Sequence, residues 1–207
     1  MKPASRRRVA VAGCTALGAG LLRASLSARP DSRAFYGLGL ATAATWAASG
    51  LALGPPRLGN KSGAVLALPI GGAAFGVFYG CALIARRIPP LHRAISDVLR
   101  YADEAPLDRT LFIALVSGAG EELFFRGPVY DVAGPRPVAA STGVYCLTTT
   151  ATRNPALTLA SAVMGTLFGL QRRATGGVVA PLLTHLTWST LMIRYLPALF
   201  PGDQTGG

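Results

Sequence analysis

The apolar runs left between the charges constrain this sequence more than any other feature. The clearest extend from Phe35 to Pro56, Ser62 to Ala85, Thr110 to Gly120, Pro137 to Thr152, Asn154 to Gln171 and Ala174 to Ile193. Several approach the roughly 20 residues that a helix needs to cross bilayer hydrocarbon. Such runs can line a soluble core or face lipid, and composition decides between the two. Only 14% of the 207 residues are charged and the mean hydropathy is +0.42, whereas a soluble domain carries roughly 25% charged residues. The sequence therefore predicts an all-α, polytopic membrane bundle of six to seven transmembrane helices. Its richness in Gly and Ala suits closely packed membrane helices. Period-two alternation, which a membrane β-barrel requires, is missing.

A shorter run, Val9 to Leu22, lies between "RRR" and Arg23. It can be a short span, a re-entrant piece or the apolar part of a signal sequence, and an uncleaved first span is the preferred reading. Residues 1–200 are expected to form one integral-membrane domain, with "PGDQTGG" (201–207) as a short disordered tail. The net charge of +11 would point to nucleic acid in a soluble protein. Here the arginines cluster at span ends, at Arg6 to Arg8, Arg86 with Arg87, and Arg172 with Arg173, where they meet lipid phosphates or set topology. The expected surroundings are the lipid bilayer, with multi-pass insertion in the cell membrane, a cytoplasmic N-terminus and no nucleic-acid partner.

The long polar connection "PPLHRAISDVLRYADEAPLDR" repeats Leu91, Ile95, Val98, Leu99 and Ala102 at helical spacing, which predicts an amphipathic helix on the membrane surface. His92 falls on it and reads as a solvated surface histidine. Cys14, Cys81 and Cys146 are isolated in apolar runs and read as inert small hydrophobes.

Against this background "GAGEELFFRG" (residues 118–127) stands out, because a charge at the membrane centre costs about 2.5 to 3.5 kcal/mol on insertion scales. On a helix Glu122 and Arg126 stand at i and i+4, one above the other, while Glu121 is rotated about 100° away. Arginine can neutralise one carboxylate and leave the other free to act as a base. In the last run, "APLLTHLTWSTLMIRYL", His185 and Ser189 are again i and i+4. Alone, this histidine reads equally well as a packing residue. With the acid cluster, catalysis becomes the stronger reading: glutamate can deprotonate water while histidine donates to the oxygen that becomes negative.

These segments resemble the CPBP intramembrane proteases, which include the type II CAAX prenyl endopeptidases. That family carries Glu-Glu-x-x-x-Arg, then Phe-x-x-x-His, then His-x-x-x-Asn on successive membrane helices. Glu121, Glu122 and Arg126 match the first motif in full. "LFGLQRR" aligns Phe168 with the second motif but puts Arg172 at its histidine. "HLTWS" matches the third at His185 and puts Ser189 at its asparagine. The resemblance covers a catalytic core at about 110–196. It implies a membrane-embedded endopeptidase acting on a membrane-associated protein or peptide, with Glu121 as general base, His185 as oxyanion donor, Ser189 as a weaker donor, and Glu122 with Arg126 as a supporting pair.

Arg172 cannot accept a proton, since a guanidinium stays protonated in proteins. It can hold Glu121 ionised, stabilise an oxyanion, or simply end a span beside Arg173. Relatives are often labelled metalloproteases, and Glu121, Glu122 and His185 can in principle supply three zinc ligands. The chain has no His-Glu-x-x-His and only two histidines, so a metal-free, glutamate-activated water is preferred and no cofactor is expected. Two further classes stay open. One is an inactive descendant that binds a membrane partner. The other is a transporter or proton relay, which also uses intramembrane acids.

Overall fold

A computed structural model describes residues 3–201 of the chain; residues 202–207, most of the expected tail, lie outside the described residues. The architecture is an all-helical bundle, with no strand among the described residues. Its helices are α1 (Pro3–Ser25), α2 (Arg33–Leu53), α3 (Lys61–Ala85), α4 (Pro89–Asp103), α5 (Leu107–Phe124), α6 (Pro137–Thr150), α7 (Pro155–Thr175) and α8 (Val179–Tyr195). The apolar runs read from the sequence coincide with α2, α3 and α5 to α8, and the run from Val9 to Leu22 lies inside α1.

Local chemistry sets the helix ends. The Ser32 hydroxyl and the Asn60 side-chain oxygen accept the amide hydrogens of Phe35 and Gly63, at 3.1 and 2.8 Å, and so cap α2 and α3. The Asn154 side-chain oxygen accepts from Ala156 and Leu157 at the start of α7. Prolines open α4, α6 and α7, where their missing N–H costs nothing. Gly176, with φ of 75°, ends α7 in the left-handed conformation that glycine tolerates best.

By length and composition, α3 is the one described helix long and apolar enough to cross a membrane, against the six or seven expected. Four of the others miss that test of length and composition for identifiable reasons. Helices α6 and α8 have only 14 and 17 residues, shorter than the roughly 20 that hydrocarbon requires. Helix α5 carries Glu121 and Glu122, and α7 ends on Arg172 and Arg173.

Packing places α5 at the centre, against α2 on one side and α8 on the other, with α8 also touching α3 and α7. Helix α6 lies on α7, and α1 lies on α2, with Val11 in a core that includes Trp46, Phe124 and Phe125. The approach of α2 and α5 needs glycine. A Cβ on Gly50 would stand 2.7 Å from the Leu123 carbonyl oxygen, and one on Gly120 would stand 2.7 Å from that of Ala43. Gly50→Ala is therefore expected to cost about 1 to 3 kcal/mol, read as a lower thermal midpoint in detergent. An unchanged midpoint would mean that the two backbones separate freely.

The expected amphipathic helix is α4, but it is fastened to the bundle as well as exposed. The Tyr101 hydroxyl donates to the Leu26 carbonyl oxygen at 2.6 Å, and Tyr101 stacks on Phe35. The His92 ring lies against Phe200, with centroids 5.2 Å apart, and is partly buried rather than freely solvated.

Candidate active site

The charged segment occupies the end of α5, where the helix passes into a π turn, Phe125–Val129, and one further turn, Tyr130–Val132. Pro128 cannot donate a backbone hydrogen bond, and Gly127 leaves helical geometry at φ −92° and ψ −114°. The ladder is interrupted directly after Arg126.

Within this end the i, i+4 pair forms as expected: Arg126 Nε lies 3.2 Å from Glu122 Oε2, and both side chains are 0% exposed. Arg126 Nη2 donates to the Gly165 carbonyl oxygen at 3.1 Å. The guanidinium lies between the rings of Tyr145 and Phe168, at 5.0 and 5.1 Å from their centroids, where aromatic faces attract a cation.

Helix α8 brings His185 to this pair. His185 Nδ1 stands 3.0 Å from Glu122 Oε1. An ionised carboxylate only accepts, so Nδ1–H donates. The imidazole stacks on Phe168, with centroids 4.8 Å apart and planes at 20°. Its Nε2 faces α5 across Gly118, where an added Cβ would stand 3.3 Å away. The two residues read as parts of separate functions, supporting acid and oxyanion donor, are thus directly joined.

Glu121 points elsewhere and has a partner that sequence reasoning missed. The Tyr145 hydroxyl, from α6, donates to Glu121 Oε2 at 2.6 Å. Nothing in the local sequence marks Tyr145, since "GVYCLTTT" reads as an ordinary apolar run. Glu121 is 9% exposed, whereas Glu122 is 0%, so water can reach the first carboxylate more readily than the second. Ser189 is buried one turn beyond His185 on α8.

Arg172 and Arg173 do not act as a pair of span-end cations: Arg172 is buried and Arg173 is exposed. Arg172 Nε donates to the Arg126 carbonyl oxygen at 2.9 Å, and its Nη2 lies 3.5 Å from Asp131 Oδ1. Its guanidinium also covers the Tyr130 ring at 5.0 Å. Arg172 thus satisfies a carbonyl next to the break in α5 and reaches the site only through the main chain. Arg172→Ala is expected to cost about 1 to 3 kcal/mol by leaving that carbonyl unpaired. Arg173→Ala should stay within about 0.5 kcal/mol of the parent in the same thermal unfolding assay.

Among the described residues, no group of three or more His, Cys, Asp or Glu side chains is placed to hold a metal ion. The donor chemistry agrees. His185 Nδ1 and one oxygen of Glu122 are bonded to each other, and the other oxygen faces the Arg126 cation. Glu122, engaged on both oxygens, is therefore not free to ligate zinc.

Residues 104–191 match the family described as type II CAAX prenyl endopeptidase Rce1-like. No curated protein and no solved structure matches the chain. The matched stretch begins in the turn after α4 and ends in α8, and it contains Glu121, Glu122, Arg126, Tyr145, Arg172 and His185. Over that stretch, residues 104–191, the match supports a likeness to the CPBP proteases.

Proposed function

We propose that this protein is a multi-pass intramembrane endopeptidase that hydrolyses a peptide bond with water activated by Glu121. The observation that carries the reading is the joined set of buried polar groups: Glu121 on Tyr145, and His185 on Glu122 on Arg126. Insertion in a bilayer is supported by an inside-out distribution. These charges are buried, while Val65 (74% exposed), Leu147 (70%) and Leu159 (63%) face outward on three helices, an exterior suited to hydrocarbon and costly in water. Many hydroxyls are also satisfied within their own helices. Thr42 and Thr187, for example, each donate to the carbonyl four residues earlier at 2.8 Å, a solution available where water is absent.

In this mechanism a water proton passes to Glu121 Oε1 as the water oxygen attacks the scissile carbonyl carbon. The carbonyl oxygen becomes negative and is met by a hydrogen bond from the His185 ring, whose orientation Glu122 holds from Nδ1. The C–N bond then breaks, and Glu121 returns the proton to the departing amine. The substrate class is a membrane-associated protein or peptide. The proposal does not require a prenyl group.

A second reading is favoured by Arg172, which stands at the histidine of the second family motif and is engaged with backbone. In it, the chain is an inactive relative that binds a membrane partner. Purified full-length protein in detergent, incubated with a peptide library and assayed for defined cleavage products, separates the two readings. Cleavage supports the endopeptidase. Failure to cleave, with intact partner binding in cells, supports the inactive relative.

A further inference from the structure

We infer that Tyr145 is a positioning residue for the reaction, holding the Glu121 carboxylate in the one orientation that presents Oε1 to water. This rests on the reading of Glu121 as general base. The terminal torsion of a glutamate is broad and roughly two-fold, so an unpartnered carboxylate at this place would sample many planes. A hydroxyl donating to Oε2 at 2.6 Å fixes both the plane and the identity of the free oxygen. Correct placement of a reacting group within a fraction of an ångström is worth large factors in rate.

The phenol is itself held from several sides. Its ring packs on Phe125, with centroids 4.8 Å apart, and the Arg126 guanidinium lies 5.0 Å from the centroid. Gly165 leaves room for the ring edge, since a Cβ there would stand 3.1 Å from Tyr145 Cδ1. The hydroxyl position is thus set by three contacts that do not involve Glu121. Arg172, at the position where the family motif has histidine, is turned to the Arg126 carbonyl and Asp131. Among the described residues, Tyr145 is therefore the group that hydrogen-bonds directly to the candidate base.

Tyr145→Phe keeps the ring contacts and removes only the donor. In the full-length protein, with a cleaved library peptide as substrate, kcat should fall about 10- to 100-fold, the range expected for a hydrogen bond to a charged group. KM should stay unchanged, and kcat is measured per mole of folded protein, because the Glu121 oxygen left without its donor lowers the thermal midpoint. A double-variant cycle distinguishes positioning from a structural role. If Tyr145 acts through Glu121, adding Tyr145→Phe to Glu121→Gln should not lower single-turnover rates further. Parental kcat in Tyr145→Phe beside an impaired Glu121→Gln would overturn the positioning role alone, as would effects that multiply in the double variant. Full turnover in Glu121→Gln, or no cleavage by the parent protein, would overturn the underlying base reading and this inference with it.

Discussion

Glu121→Gln is expected to lower turnover by about 10²- to 10⁴-fold, the usual worth of general-base assistance, while leaving the fold intact. The amide is nearly isosteric, and its oxygen can still accept the Tyr145 hydroxyl, so the 2.6 Å contact can survive the change. What it cannot do is take a proton from water. Glu121 is the carboxylate proposed for this role because it keeps some exposure, while Glu122 is fully enclosed and shared between His185 and Arg126. The measurement is release of a defined peptide product by purified protein in detergent. Full activity in the variant would remove the glutamate mechanism and leave partner binding, or a different chemistry, in its place.

The second large effect concerns stability. Arg126→Ala should destabilise the protein by about 3 to 5 kcal/mol, because removing one member of a buried pair leaves the other charge uncompensated. The arginine also donates to the Gly165 carbonyl and fills the space between two aromatic rings. Arg136 provides the comparison. It is exposed just before α6, and Arg136→Ala should fall within about 0.5 kcal/mol of the parent. Equal thermal midpoints for the two variants in detergent would contradict the support role of Arg126.

Both predictions combine features of different origin. The Glu122–Arg126 pair was legible because it is local: residues four apart on a helix must meet, whatever surrounds them. The positions of the helices were legible for a similar reason, since apolar runs, capping Asn and Ser, and opening prolines act within a few residues of where they stand. The same local reasoning read six to seven spans, of which α3 meets the test of length and composition among the described helices; the turns leave α6 at 14 residues.

What tertiary structure decided is every contact that joins one helix to another. Tyr145 and Glu121 are 24 residues apart, Arg172 and Arg126 are 46 apart, and His185 and Glu122 are 63 apart. Helical periodicity states which side of its own axis a residue occupies, but not which neighbour that side will face. Neighbours are chosen by close packing, as where Gly50 and Gly120 let α2 and α5 touch backbone to backbone. The sequence by itself determined an all-helical chain with two acids and an arginine at one helix end and a histidine on a later helix. Packing alone assigned the histidine to Glu122, the tyrosine to Glu121 and Arg172 to a backbone carbonyl, because those choices depend on how helices lie across one another.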